Sequence, residues 1–427
     1  MKFPTVNICL AIAALMGAAA PARAQLGLPR LQLPQQIGPL DADRLRRPVD
    51  QLLDRAPLPD LAALRLDTVR GLLRRHPDLL EADPRGEPAV RGEILAWSPG
   101  AAALDAAAQA GLRIAREEAL PALGERLVVL RVPAGMATAA LLERLRALDP
   151  EGSYDFNHVY TGSGAAAGTP AGGAAAGRVG LVDSGVDAGH EVFGQAAVTR
   201  WGCGGRLVPD AHGTAVAALM VGRSGVFHGA APGAALFAAD VYCGSPTGGA
   251  ADRIAAALAW LAQQEVGVIN VSLVGPSNVL LGRAVKAMQA RGHLLVAAVG
   301  NDGPAAPPLY PASYPGVVGV TGVDRRGRPL PEAARGPQVM FAAPGSQMVS
   351  AAPGAPPYRQ VRGTSFAAPI VAALLAQRLP RPDRNAAPGA IEALARAADG
   401  AKPGTVSNEV GHGIVGVDVR VAPSRLR

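Results

Sequence analysis

Lysine is nearly missing from this chain, occurring only at positions 2, 286 and 402, so the formal charge of +7 rests on arginine. After residue 24 those arginines alternate with Asp and Glu instead of forming a run, which excludes the basic footprint of a nucleic-acid binder. No apolar stretch beyond the N-terminus reaches the roughly 20 residues that a membrane-spanning helix needs. Cysteine appears only at positions 9, 203 and 243, never in a metal-ligand spacing, and no run of oxygen ligands suited to calcium stands out. No cofactor is therefore expected. A chain of 427 residues, 49% hydrophobic and 18% charged, still has ample material for a core and room for two or three units.

Residues 1–24 read as a secretory signal. Lys2 precedes an apolar centre from Ile8 to Ala20, and Ala22-Arg23-Ala24 supplies the small-x-small pattern of a cleavage site. Export to the periplasm or the medium follows, with no membrane contact once the signal is gone. Cys9 would leave with the signal, and the two remaining cysteines form either one disulfide or two separate buried thiols.

Four further segments follow before the main body. Residues 25–90 read as a Pro/Arg/Leu-rich lead segment with one short helix, of which 25–58 has no sustained period and reads as loosely ordered. Leu61 to Leu80 carries helical spacing at Leu61, Leu64, Val69, Leu72 and Leu73. Residues 91–160 predict strand, helix, strand, strand, helix and strand, the order of a ferredoxin-like α+β unit that should fold as its own small domain. Thr161 to Gly177 is almost all Gly and Ala, too poor in apolar surface to hold a structure, and marks a domain boundary open to proteolysis.

Residues 178–427 alternate Val/Ile/Leu-rich runs with helical stretches, which predicts an α/β fold with a parallel sheet covered by helices on both faces. Chemistry on such sheets sits at the carboxyl ends of the strands. Gly180 to Asp187 is a buried strand ending in Asp183-Ser184-Gly185. His212-Gly213-Thr214 opens a helix, Gly300-Asn301 follows another strand, and Gly363-Thr364-Ser365-Phe366-Ala367-Ala368-Pro369 opens a long apolar helix with Pro369 in its first turn. Singly, these read as a capping Asp, a structural His, an Asn turn and a Ser or Thr helix cap. Together they offer a nucleophile, a base that titrates near neutral pH, a carboxylate to orient it and an amide donor for an oxyanion.

The order Asp, His, Asn, Ser with these flanking residues resembles the subtilisin-like serine peptidases, or subtilases, over roughly residues 178–416. The resemblance implies Ser365 as nucleophile, His212 as general base and acid, and Asp183 as its partner, with Asn301 and the Ser365 amide as the oxyanion hole. It implies a substrate-binding strand at Ser272, Leu273, Val274 and Gly275, pairing with an extended protein or peptide substrate. Val274 and Leu309 stand where the family often has glycine, so a shallow pocket that prefers small residues before the scissile bond is expected. The unit before the linker is similar to the family's propeptide, an intramolecular inhibitor released by self-cleavage, here within the Gly/Ala linker. The resemblance also brings Cys203 and Cys243 near the cleft, where a bridge between them is expected, and the mature protein is expected to be a monomer. Two rival readings are an inactive exported scaffold, opposed by the intact Asp183, His212, Asn301 and Ser365, and a nucleotide-binding protein. The latter lacks a G-x-G-x-x-G between strand and helix, because Gly177 and Gly180 precede the strand.

Overall fold

The computed structural model describes residues 61–162, 165–166, 177–225, 227–400 and 404–425. The expected signal (1–24), the lead (25–58) and most of the linker lie outside the described residues. Helix α1 (Leu61–Arg75) ends with Arg74 and Arg75 in its last turn. It does not reach Leu80 as its spacing suggested, because the residue before Pro77 is driven out of the helical region. Residues 80–90, read as part of the lead, instead form a hairpin of β1 (Leu80–Ala82) with β2 (Pro88–Trp97). Its turn is tied by the Asp83 carboxylate, which accepts from the Arg85 and Glu87 amides at 2.7 and 2.9 Å.

The chain continues through α2 (Ala101–Gln109), β3 (Arg113–Leu120), β4 (Glu125–Arg131), α3 (Thr138–Leu148) and β5 (Tyr154–Gly162). The four long strands lie antiparallel in the order β5-β2-β4-β3. Side chains alternate across a strand, and here both faces are buried. Ile94, Val128, Leu130 and Leu142 fill the side under α2 and α3. Leu95, Trp97, Leu127 and Val129 face the other way, onto helices supplied later in the chain.

Strand β5 runs through Thr161 to Gly162, and Ala165–Ala166 form a short β6, so the linker begins later than its composition suggested. The Gly/Ala run has no core of its own, but neighbouring strands supply hydrogen bonds that composition does not encode.

The main body contains β7 (Arg178–Asp183), β8 (Val198–Trp201), α4 (Ala211–Val221), a hairpin of β9 (Arg223–Ser224) and β10 (Phe227–His228), β11 (Ala235–Asp240) and β12 (Gly249–Ala250). Then come α5 (Ala251–Gln263), β13 (Val268–Val271), β14 (Leu273–Val274), α6 (Val279–Ala290), β15 (Leu294–Ala298), β16 (Val318–Val323) and β17 (Val339–Pro344). A hairpin of β18 (Met348–Ala351) and β19 (Tyr358–Arg362), α7 (Thr364–Ala376) and α8 (Ala386–Arg396) follow. Seven strands form a parallel sheet in the order β17-β16-β15-β13-β7-β11-β8. Its central strands are largely apolar because each face has its own cover. Val179, Leu181 and Val296 pack with α4 and α7, whereas Val182, Ile269 and Leu295 pack with α5 and α6. Helix α7 is buried nearly all round, which marks it as a core helix.

Candidate active site

Asp183 is the last residue of β7 and is fully buried. Its Oδ1 accepts from the Ser184 amide at 2.7 Å and lies 2.7 Å from Nδ1 of His212. His212 sits in the first turn of α4, whose N-cap, Asp210, accepts from the His212 amide at 2.8 Å. The Ser184 hydroxyl links the two segments, donating to Asp210 at 2.8 Å and accepting from the Gly213 amide at 3.0 Å. A Cβ on Gly213 would fall 2.1 Å from the Ser184 carbonyl oxygen, so only glycine lets α4 start this close to β7. Burial disfavours the imidazolium of His212, but the charge and hydrogen bond of Asp183 outweigh it, aided by Asp210, and the pKa is raised above its usual value.

Gly363, with φ of 131°, is the N-cap of α7, so neither Thr364 nor Ser365 plays that part. Ser365 stands in the first turn and is buried. Its hydroxyl donates to the Ser272 carbonyl at 3.0 Å, while Nε2 of His212 has no hydrogen-bond partner. Pro369 lies inside the helix, one turn further on than expected. Lacking an N–H, it leaves the Ser365 carbonyl without its intrahelical donor. The Ser272 hydroxyl donates to that carbonyl at 2.9 Å, and Asn270 donates to the same hydroxyl at 2.9 Å. Ser272 and Ser365 therefore hold each other reciprocally.

Asn301 lies just past β15, where Gly300 has φ of 101°. Its Oδ1 accepts from the Thr364 amide at 3.0 Å, which leaves the NH₂ end as the donor. Thr364 also accepts, through its hydroxyl, from the Gly300 amide at 3.2 Å. Hydrogen bonds thus draw two separated segments to the start of α7, and the His212 ring, held by Asp183, lies 5.4 Å from that of Phe366 in the same turn.

The cleft beside this cluster holds β5. Leu273 and Val274 pair antiparallel with Gly162 and Thr161, and Gly249 and Ala250 pair with Tyr160 and Val159 on the other edge. Tyr160 is fully buried, its hydroxyl donating to the Pro276 carbonyl at 2.7 Å. Gly275 makes room for that ring, since a Cβ there would lie 2.5 Å from it. Gly162 donates its amide to the Tyr242 hydroxyl at 2.6 Å, and a Cβ on it would lie 3.0 Å from Nε2 of His212. Leu309 and Val274 are buried, and a Cβ on Gly300 would lie 2.5 Å from Leu309 and 3.7 Å from Val274, so both side chains converge there.

Cys203 and Cys243 are joined by a disulfide, with Cα atoms 5.1 Å apart. It anchors the loop that carries Tyr242. Residues whose parts were not foreseen are Asp210, Tyr242, Thr364 and Tyr160. Only Asp210 carried a local signal, an Asp directly before a helix start.

A model of the subtilase family matches residues 176–413, more than half of the chain. The chain belongs to the subtilase family. This subtilase is a subtilisin-like serine protease, 34% identical to subtilisin DY of Bacillus licheniformis over 205 residues, or 46% of the chain and 73% of that relative. It is 32% identical to the major intracellular serine protease of Bacillus subtilis (strain 168) over 174 residues, 39% of the chain and 54% of the relative. Fervidolysin from Fervidobacterium pennivorans shares the fold with a TM-score of 0.63 at 20% identity, over 78% of this chain and 61% of that one. The subtilase thus spans well under two thirds of some relatives and about three quarters of another.

Proposed function

We propose that this subtilase is an exported serine endopeptidase made as a zymogen, with Asp183, His212 and Ser365 as its catalytic triad. The observation that carries the reading is the 2.7 Å bond from Nδ1 of His212 to buried Asp183 beside the first turn of α7. That bond fixes the proton on Nδ1 and leaves Nε2 basic. Ser365 rotates its hydroxyl from the Ser272 carbonyl toward Nε2, gives up its proton and attacks the substrate carbonyl. The oxyanion forms against the Ser365 amide and the NH₂ of Asn301, a donor worth about 3 kcal/mol in the transition state. His212 then protonates the leaving amine, and water, activated by the same base, hydrolyses the acyl-enzyme.

Strand β5 occupies the groove by strand addition, as a substrate would. Residues 91–160 and the helix and hairpin before them act as an inhibitory propeptide, released by self-cleavage within 161–177. The converging Leu309 and Val274 support a preference for small residues before the scissile bond.

A serine-directed fluorophosphonate labels the processed protein and fails to label Ser365→Ala; a folded, processed sample that takes no label refutes the peptidase reading. Ser365→Ala accumulates as the unprocessed chain, and recovery of only the shortened form would assign processing to another enzyme. Among peptides differing at one position, Ala before the scissile bond is cleaved faster than Phe, and the reverse order removes the small-residue preference.

A further inference from the structure

Strand β5 meets two kinds of partner along the cleft. Its main chain pairs with β14 at Gly162 and Thr161 and with β12 at Tyr160 and Val159, so the pairing with β12 stops two residues short of Gly162. There the Gly162 amide donates to a side chain instead, the Tyr242 hydroxyl, at 2.6 Å.

Tyr242 is held firmly for that part. Its own amide and that of Cys243 donate to Oδ1 of Asp240 at 2.9 and 2.8 Å, and Cys243 is bridged to Cys203. The ring packs against the core that α5 and α6 share with the sheet. Burial, and after it the charge of Asp183, pushes the pKa of the phenol well above its usual value, so the hydroxyl stays neutral where His212 titrates. It can accept an N–H throughout that range.

The same residue of β5 is crowded by the base. A Cβ on Gly162 would fall 3.0 Å from Nε2 of His212 and 3.1 Å from Cδ2 and Cε1, so any larger residue must push the imidazole aside by a few tenths of an ångström.

We infer that Tyr242 is a specificity-determining residue whose hydroxyl accepts the main-chain N–H of the substrate residue standing where Gly162 stands, so that glycine is favoured there and proline is refused. The inference rests on the proposed peptidase and on β5 marking the path of the substrate. Proline has no N–H to give, and its ring carbon would enter the 2.6 Å between nitrogen and hydroxyl. The phenol has little freedom to retreat, because its turn is tied to Asp240 and to the disulfide.

The test uses the full chain, expressed and left to mature, with active sites counted by fluorophosphonate labelling. Peptides copy residues 157–177 and differ only at Gly162, which is kept or replaced by Ala, Pro, N-methylglycine or glycolate. Glycolate turns the amide into an ester and removes the N–H alone. It should lower kcat/KM about three- to tenfold in the wild type, as for one partly exposed hydrogen bond, and leave Tyr242→Phe nearly unaffected. Pro and N-methylglycine should be cleaved at least about tenfold more slowly than Gly, and Tyr242→Ala, which clears the space, should narrow that gap. Ala should be slower than Gly in every form, since it meets His212 and not Tyr242. An ester penalty of equal size in the wild type and Tyr242→Phe would overturn the inference. So would wild-type cleavage of the Pro peptide as fast as the Gly peptide, a result that decides the matter even where neither variant matures. Protein that takes the label yet leaves all these peptides intact overturns the placing of β5, and the inference with it. Protein that takes no label is a different result, and overturns the peptidase reading itself.

Discussion

The two large sheets differ in who covers them. The parallel sheet has apolar side chains on both faces and helices of its own region on each, α4 and α7 on one and α5 and α6 on the other. The antiparallel sheet also has two apolar faces, yet its own helices cover only one. Its second face is closed by α5 and α6, and polar groups cross the boundary at several points. Arg116 lies 2.8 Å from Glu93 and 2.7 Å from Asp252 at the start of α5, and Asn157 donates to both carboxylates. Asp155 accepts from the Val279 amide at the start of α6 at 2.8 Å, a charge well placed against that helix end. Charged groups and helix ends can exchange protein partners for water far more readily than a Val/Ile core can. The first region is held by apolar contacts on both faces, and the second meets the rest of the chain partly through polar groups, which suits the release proposed for it.

That contrast can be broken most forcefully at Tyr160. In a Ser365→Ala background, which keeps the chain whole, Tyr160→Ala should remove about 3 to 5 kcal/mol of the hold on the cleft, as for other buried aromatics cut back to Ala. Amide exchange should then show β5 losing protection by more than a hundredfold while β13 and β15 keep theirs. Equal losses in the two sheets would erase the distinction. A weaker perturbation is Asp252→Ala, which leaves Arg116 with Glu93 but strips the start of α5 of its carboxylate. About 2 kcal/mol of attachment should go, read by the same exchange measurement in the same background, and an unchanged profile would show the ion cluster to be idle.

Smaller effects sharpen the contrast inside the half built on the parallel sheet. Leu309→Gly should raise kcat/KM for Phe relative to Ala before the scissile bond by about tenfold, the order expected when a pocket gains a few methylene volumes. An unaltered ratio would take Leu309 out of the pocket. The acid limb of kcat/KM reports His212. Asp183 favours the imidazolium, which cannot accept the serine proton, so activity falls as pH drops through a value above the ordinary 6.5. An acid limb at or below that value would mean that burial, not Asp183, dominates.

Much of the parallel sheet was readable from the chain alone, because β7, β13 and β15 are largely apolar, buried runs and the residues with chemistry sit where those runs stop. Edge strand β8 was not, since Val198–Trp201 is half exposed and shows no such run. The motif residues were legible because each has a local context of glycine and small neighbours. Contacts that orient them were not. Ser272 holds Ser365 across 93 positions and Arg65 meets Asp302 across 237, and a single sequence carries no periodicity for pairs so far apart. The helix that stopped at Arg75 and the strand that ran on to Gly162 depart from expectation in opposite directions and for different reasons. The spacing of the leucines carried the first past the stop at Pro77, and the Gly/Ala composition of the second gives no sign of the partner strands that the folded chain supplies.

The bridge between Cys203 and Cys243 encloses a loop with a sequence separation of 40, and both Asp210 and His212 lie inside that loop. The base and its cap are therefore fenced in by a covalent ring even when the chain is unfolded, a restriction of about 4 kcal/mol in the loop-entropy description. Folded where thiols stay reduced, the same sequence would forgo that contribution, so the robustness of the segment that carries His212, the proposed base, is inherited from the redox state of the place in which the chain is made.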